Sequence, residues 1–98
     1  MKYEIHLHPK ADKEIAKLSK QTRKEILETH FPKIVSDPYL AGKGLSGKLK
    51  GFKKYTFSSR GVSYRIIYEI WEKENIVLII MVGPRENIYL RLLRRLGV

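Results

Sequence analysis

An unbroken apolar run from Ile76 to Val82, closed by Gly83-Pro84, constrains this chain more than any other stretch. It is too short to span a bilayer and β-branched enough to read as a central strand. Proline has no N–H for the ladder, so the strand stops there. Upstream, Tyr64, Ile66, Tyr68 and Ile70 alternate with Arg65, Ile67, Glu69 and Trp71, the period of two of a strand with distinct faces. Glu72 to Asn75 supplies a solvated hairpin connection. Arg65 and Arg85 thereby fall on neighbouring strands, about 5 Å apart if their registers match. Two guanidiniums at that spacing repel each other unless something anionic lies between them.

The 98 residues suit one domain, 1–98, with a single modest core. Cysteine is absent, so neither a disulfide framework nor a thiolate metal site is available, which fits a reducing cytosol. The segment MKYEIHLHPK lacks the apolar stretch of a signal peptide, and no later segment could cross a bilayer. A cytoplasmic protein without membrane contact is expected. The formal net charge of +10 is unevenly spread: Met1–Gly42 holds eight Lys/Arg against six Asp/Glu, whereas Lys43–Val98 holds twelve against four. Basic charge gathered in one half of a small domain points to a polyphosphate partner, with an acidic protein partner or a plain solvated surface as alternatives.

Taken in order, Lys2 to Leu7 alternates as a first strand, and Pro9 suits the first turn of a helix whose apolar stripe is Ala11, Ile15 and Leu18. Thr22-Arg23-Lys24-Glu25 fits a capping box, so a second helix is expected there, burying Ile26, Leu27, Phe31, Ile34 and Val35. Pro32 should kink that helix or end it early. Tyr39 to Gly51, with four glycines and three lysines, reads as irregular. Lys54 to Phe57 alternates again, with Tyr55 and Phe57 inward and Lys54 and Thr56 outward. Ser58 to Ser63 reads as a longish hairpin turn. The chain closes on IYLRLLRRL, whose apolar face would be Ile88, Leu90, Leu93 and Leu96, with Arg91, Arg94 and Arg95 opposite. The expected architecture is α+β: an N-terminal strand, a helical hairpin, a three-stranded antiparallel run completing a four-stranded antiparallel sheet, and a short C-terminal helix.

Several chemical signals compete. Gly42 to Leu49 nearly matches the phosphate loop G-x-x-x-x-G-K-[ST], but Leu49 replaces the magnesium-binding hydroxyl and the context is loop-to-strand. His6 and His8 share a strand face without an evident third ligand, so no metal or other cofactor is expected. No nucleophile sits in a recognisable elbow. Trp71 and the tyrosines read as core, Tyr89 alone as exposed. What remains is Lys54, Arg65, Arg85 and Tyr89, with Lys50, Lys53 and Arg60 nearby. A charge run is ordinarily a solvated face. Arg65, however, is embedded in an apolar strand, where a bare charge is expensive, so it must reach an edge, a partner or a groove.

LSGKLKGFKKYTF, YRIIYEI and VLIIMVGPRENIY resemble the successive signatures of the RelE/ParE toxin superfamily, over nearly the whole chain. That resemblance implies a toxin of a type II toxin–antitoxin pair: a ribosome-dependent endoribonuclease cutting translated mRNA, or a ParE-like relative that poisons DNA gyrase. It implies that Arg65 and Arg85 handle the scissile phosphate, that Tyr89 packs on the mRNA base and that Lys54 moves a proton. Lys50, Lys53, Arg60 and Arg91 would extend the contact with RNA. Thr56 stands where the family has a second lysine, so Lys53 or Lys54 could be the general base. The implied partners are a cognate antitoxin and mRNA on the 70S ribosome, with operator DNA reached only through the toxin–antitoxin complex. RNA supplies its own nucleophile, the 2′-hydroxyl, so the chemistry needs no metal. A guanidinium's planar fork suits phosphate oxygens, and its permanent charge makes it a stabiliser rather than a base.

Overall fold

Residues 3–97, which the computed structural model describes, form β1 (Glu4–Leu7), α1 (Pro9–Ala16) and α2 (Lys20–Glu25), then a π-helical turn (Ile26–His30). There follow α3 (Phe31–Ser36), α4 (Pro38–Ala41), β2 (Lys43–Gly44), a 3₁₀ turn (Gly47–Leu49), β3 (Phe52–Ser59), β4 (Val62–Trp71), β5 (Ile76–Pro84) and α5 (Ile88–Leu96). Lys2, expected in the first strand, lies outside the described residues.

The sheet is α+β as expected but has five strands, in the order β1-β5-β4-β3-β2. The added strand, β2, is two residues long and pairs with Lys53 and Lys54 inside the segment read as irregular. The sheet is also mixed rather than antiparallel: β1 runs parallel to β5, from Glu4 opposite Ile76 to Leu7 opposite Ile79. Tight hairpins force β3, β4 and β5 to alternate in direction, whereas β1 is joined by the long helical segment to β2 at the far edge and is under no such constraint. The turn between β3 and β4 is shorter than expected. Ser59 pairs with Val62, and Arg60 and Gly61 both take positive φ (52° and 80°), a two-residue turn whose twist matches the flanking strands.

Strand parity distributes the core. Tyr55, Phe57, Ile66, Tyr68, Val77, Ile79 and Val82 face α1, the π-turn and α3, meeting Ala11, Ile15, Ile26, Phe31 and Ile34. The other face packs Ile67, Ile80 and Met81 against Ile88 and Leu92 of α5. A bulge opposite Ile67/Tyr68 breaks the alternation of β5, which lets Ile80 and Met81, adjacent in sequence, share one face. Leu90 falls outside the buried side of α5 and is 51% exposed, because Ile88 and Leu92 at i, i+4 define that side.

In the helical hairpin, Ser19 rather than Thr22 is the N-cap. Its Oγ accepts from the Thr22 N–H at 3.2 Å, so helix starts at Lys20. Thr22 is buried and hydrogen-bonds Ser59 Oγ at 2.9 Å. Pro32 does not end the rod. The chain widens into a π-turn just before it, with the Phe31 N–H reaching back to Ile26 O, and helix then resumes. The extra residue per turn rotates Leu27 outward, to 57% exposure, while Ile26, Phe31 and Ile34 stay buried.

His30, the last residue of the π-turn, stacks on Phe57 at a centroid distance of 4.1 Å and bonds Tyr55 Oη through Nδ1 at 2.8 Å. Burial, then the Lys33 charge, push its pKa below the ordinary histidine value, and Glu25 opposes them. The unfolded chain therefore binds the proton more readily. The neutral-His30 contribution to stability is complete above the unfolded value and is lost as pH falls through it toward the folded one. Thermal unfolding followed from pH 5 to 8 is expected to show a midpoint that drops below about pH 6.5 in the wild type. His30→Gln should remove that component of the slope.

Candidate nucleic-acid interface

On the α5 face, β3, β4 and β5 align Lys54 with Ile67 and Met81 in one row, and Thr56 with Arg65 and Gly83 in the next. The Arg85 N–H donates to Ser63 O at 3.1 Å, which extends the ladder by one further row. Arg85 is thus offset from Arg65 by two residues along the strand and does not stand opposite it. Diagonal neighbours of this kind lie about 7–8 Å apart, not the 5 Å of matched registers. Their repulsion is correspondingly softened.

Tyr89, in the first turn of α5, closes over this surface. Arg65 Nη1 donates to Tyr89 Oη at 2.8 Å, with Cζ at 5.3 Å from the ring centroid. Lys54 Nζ lies 5.7 Å from the same centroid. Both cations approach within the range at which an aromatic quadrupole attracts them. Arg65 Nε is buried with no hydrogen-bond partner. Among the described residues, the carboxylate ion pairs go to His6, Arg91 and Arg95, so Arg65, Arg85 and Lys54 carry no internal counter-ion. Such a surface attracts polyanions and offers a planar, fork-shaped donor at its centre.

Four further cations were expected near this cluster, and the structure disperses most of them. Lys50 is exposed just before β3. Lys53 has the opposite strand parity from Lys54 and lines a separate recess of about 270 Å³ with Tyr39, Gly44 and Phe52. Arg60, at the tip of the β3–β4 hairpin, bonds Gln21 of the helical hairpin. Arg91 Nη2 donates to Glu14 Oε2 at 2.9 Å. The two N-terminal histidines are also used locally: His8 Nδ1 caps α1 by accepting from the Lys10 N–H, and His6 contacts Glu4. Trp71 is not core. It is 43% exposed and donates to Glu69 at 2.9 Å.

Glu14 escaped the sequence reading. Its position, three residues after Ala11 and four before Leu18, places a carboxylate on the apolar stripe of α1, a signal that it has a partner inside the fold.

Fold and charge together define the class: a small α+β domain whose sheet carries an uncompensated cationic face under a C-terminal helix. Residues 5–92 match the family described as ParE-like toxin of type II bacterial toxin–antitoxin system, and the chain belongs to that family. Toxin RelG of Mycobacterium tuberculosis is 31% identical over 91 residues, covering 93% of this chain and all of the relative. A mutant of Escherichia coli toxin RelE, solved in the free state, superposes with a TM-score of 0.77 at 25% identity, over 97% of this chain and 98% of that one. The toxin–antitoxin complex RelBE2 from M. tuberculosis gives 0.73 at 26% identity, over 87% of this chain and 100% of the other.

Proposed function

We propose that this toxin is a ribosome-dependent endoribonuclease of the cytoplasm that cuts translated mRNA in the A site. In this reading the 2′-hydroxyl of the RNA attacks its own scissile phosphate. The observation that carries the reading is the state of Arg65: partly buried on the sheet, bonded to Tyr89, without a carboxylate and with Nε unpaired. A partly exposed guanidinium without an internal counter-ion is the group at this face best matched to a phosphate. Arg65 and Arg85 would neutralise the developing charge on phosphorus. Lys54 would take the proton of the attacking 2′-hydroxyl, and Tyr89 would orient the base and give a proton to the 5′-oxygen as the P–O5′ bond breaks. Similarity to RelE structures supports the ribosome as the setting, and the solved complexes of relatives with antitoxin support a cognate antitoxin that covers the cationic face. Operator DNA would be met only through that complex.

The match to a ParE-like family keeps open the other reading that the resemblance implied, a toxin that acts on DNA gyrase without cutting RNA. Mapping 5′ ends on an mRNA with and without translating ribosomes separates the two. The endoribonuclease is expected to give cuts in codon register only when ribosomes are present, leaving a 2′,3′-cyclic phosphate or 3′-phosphate. An uncut message together with loss of gyrase supercoiling would establish the other reading.

A further inference from the structure

Glu14 collects four hydrogen bonds on its two carboxylate oxygens. The Val82 N–H donates to Oε1 at 3.0 Å, Arg91 Nη2 to Oε2 at 2.9 Å, and Arg95 to both oxygens at 3.0 and 2.8 Å. Its side chain is 16% exposed and that of Arg95 12%. These bonds tie α1 to both β5 and α5. Pairing between β1 and β5 ends at Ile79, so Val82 presents its N–H at an edge with no strand beside it, and Glu14 supplies the missing acceptor. Arg95 Nη1 also donates to Ile80 O at 2.9 Å, pinning α5 to the same edge.

Arg91 and Arg95 stand one helical turn apart, a like-charged pair that repels unless an anion lies between them. The apolar side of α5 is non-directional: it drives burial but does not fix where the helix sits along its axis. The carboxylate does fix it. Next to Val82 is Gly83, the register partner of Arg65, and two residues before Arg91 on the docked helix is Tyr89, the hydrogen-bond partner of Arg65. Both halves of the Arg65–Tyr89 contact thus lie next to residues bonded to one partly buried carboxylate.

We propose that Glu14 is a positioning residue: it holds α5 against the open edge of β5 so that Tyr89 stays bonded to Arg65. It touches no substrate, and only the kinetic arm of its test rests on the endoribonuclease reading. In Glu14→Gln, amide hydrogen exchange over Ile88–Leu96 is expected to quicken about 10-fold or more while β3 and β4 keep wild-type rates. Uniform quickening across the sheet, or none anywhere, would overturn the proposal. That arm needs no RNA cleavage, so its outcome is independent of whether the toxin cuts mRNA. In cleavage of translated mRNA, Glu14→Gln is expected to lower kcat about 10-fold with little change in KM. Added to Tyr89→Phe, it should cost no more than about twofold further. A full multiplicative loss in the double variant would mean that Glu14 acts otherwise than through Tyr89. Glu14→Asp, which keeps the charge but shortens the reach, provides the same comparison should Glu14→Gln fail to fold.

Discussion

Arg65→Met is expected to fold at least as stably as the wild type and to cleave translated mRNA about 10²–10³-fold more slowly. Two observations set the opposing directions. The guanidinium is partly buried on the sheet face it shares with Ile67, its Nε has no partner, and among the described residues no carboxylate offsets its charge. An unpaired buried donor disfavours the folded state, and methionine fills similar space with no polar atom to satisfy. Stability thus rises or holds even though the bond to Tyr89 is lost. On the proposed endoribonuclease reading, cleavage falls because methionine cannot stabilise charge on a phosphate. Thermal unfolding and single-turnover cleavage measured on one preparation test both halves. Near-normal cleavage would take Arg65 out of the chemistry. A midpoint lowered by more than about 5 °C would make the guanidinium a structural group. Stability and activity moving in opposite directions is the pattern of a residue kept for what it does rather than for what it holds together.

Strand parity was the most legible information in this chain. Alternation alone assigned Tyr55 and Phe57 to one face and Lys54 and Thr56 to the other, and the same parity carries Arg65 to the face of Lys54. Parity says nothing of register between strands. The offset of Arg85 from Arg65 depends on where the β4–β5 ladder begins and on the bulge at Ile67/Tyr68, and neither is written in a local pattern. The direction of β1 was hidden for a related reason, since a strand joined by a long crossover carries no mark of which way it will pair. The capping box at Thr22 misled by one turn: Ser19, which opens no S/T-x-x-E/Q box, caps the helix, and Thr22 is committed to Ser59 across the fold. The charges of Arg60 and Arg91 looked available in sequence and are engaged in the fold, by Gln21 and Glu14, because long side chains seek whatever acceptor the tertiary structure brings near.

Gly42→Ala is expected to destabilise the domain by about 3 kcal/mol, the upper end of the usual overpacking range. The cause is space alone: Gly42 lies at φ −116° and ψ 166°, extended backbone that any residue adopts. A Cβ there would come within 2.5 Å of Tyr68 Oη and 2.8 Å of Lys54 O. Neither neighbour can retreat cheaply. Tyr68 is fully buried, donates to Pro38 O at 2.6 Å, and has its pKa pushed up to about 12 chiefly by that burial. Lys54 O belongs to the backbone of β3, opposite Lys43 of β2. Alanine must therefore break the Tyr68 bond or lift β2 from β3, and urea denaturation should show a lower midpoint. The added substitution Tyr68→Phe removes the hydroxyl but not the carbonyl contact, so Gly42→Ala/Tyr68→Phe should recover part of the packing loss and no more. Displacement of β3 would also carry the Lys54 side chain away from Tyr89. Cleavage by the folded fraction of Gly42→Ala should then fall below wild type, and a wild-type rate per folded molecule would mean that β2 moves while β3 holds still.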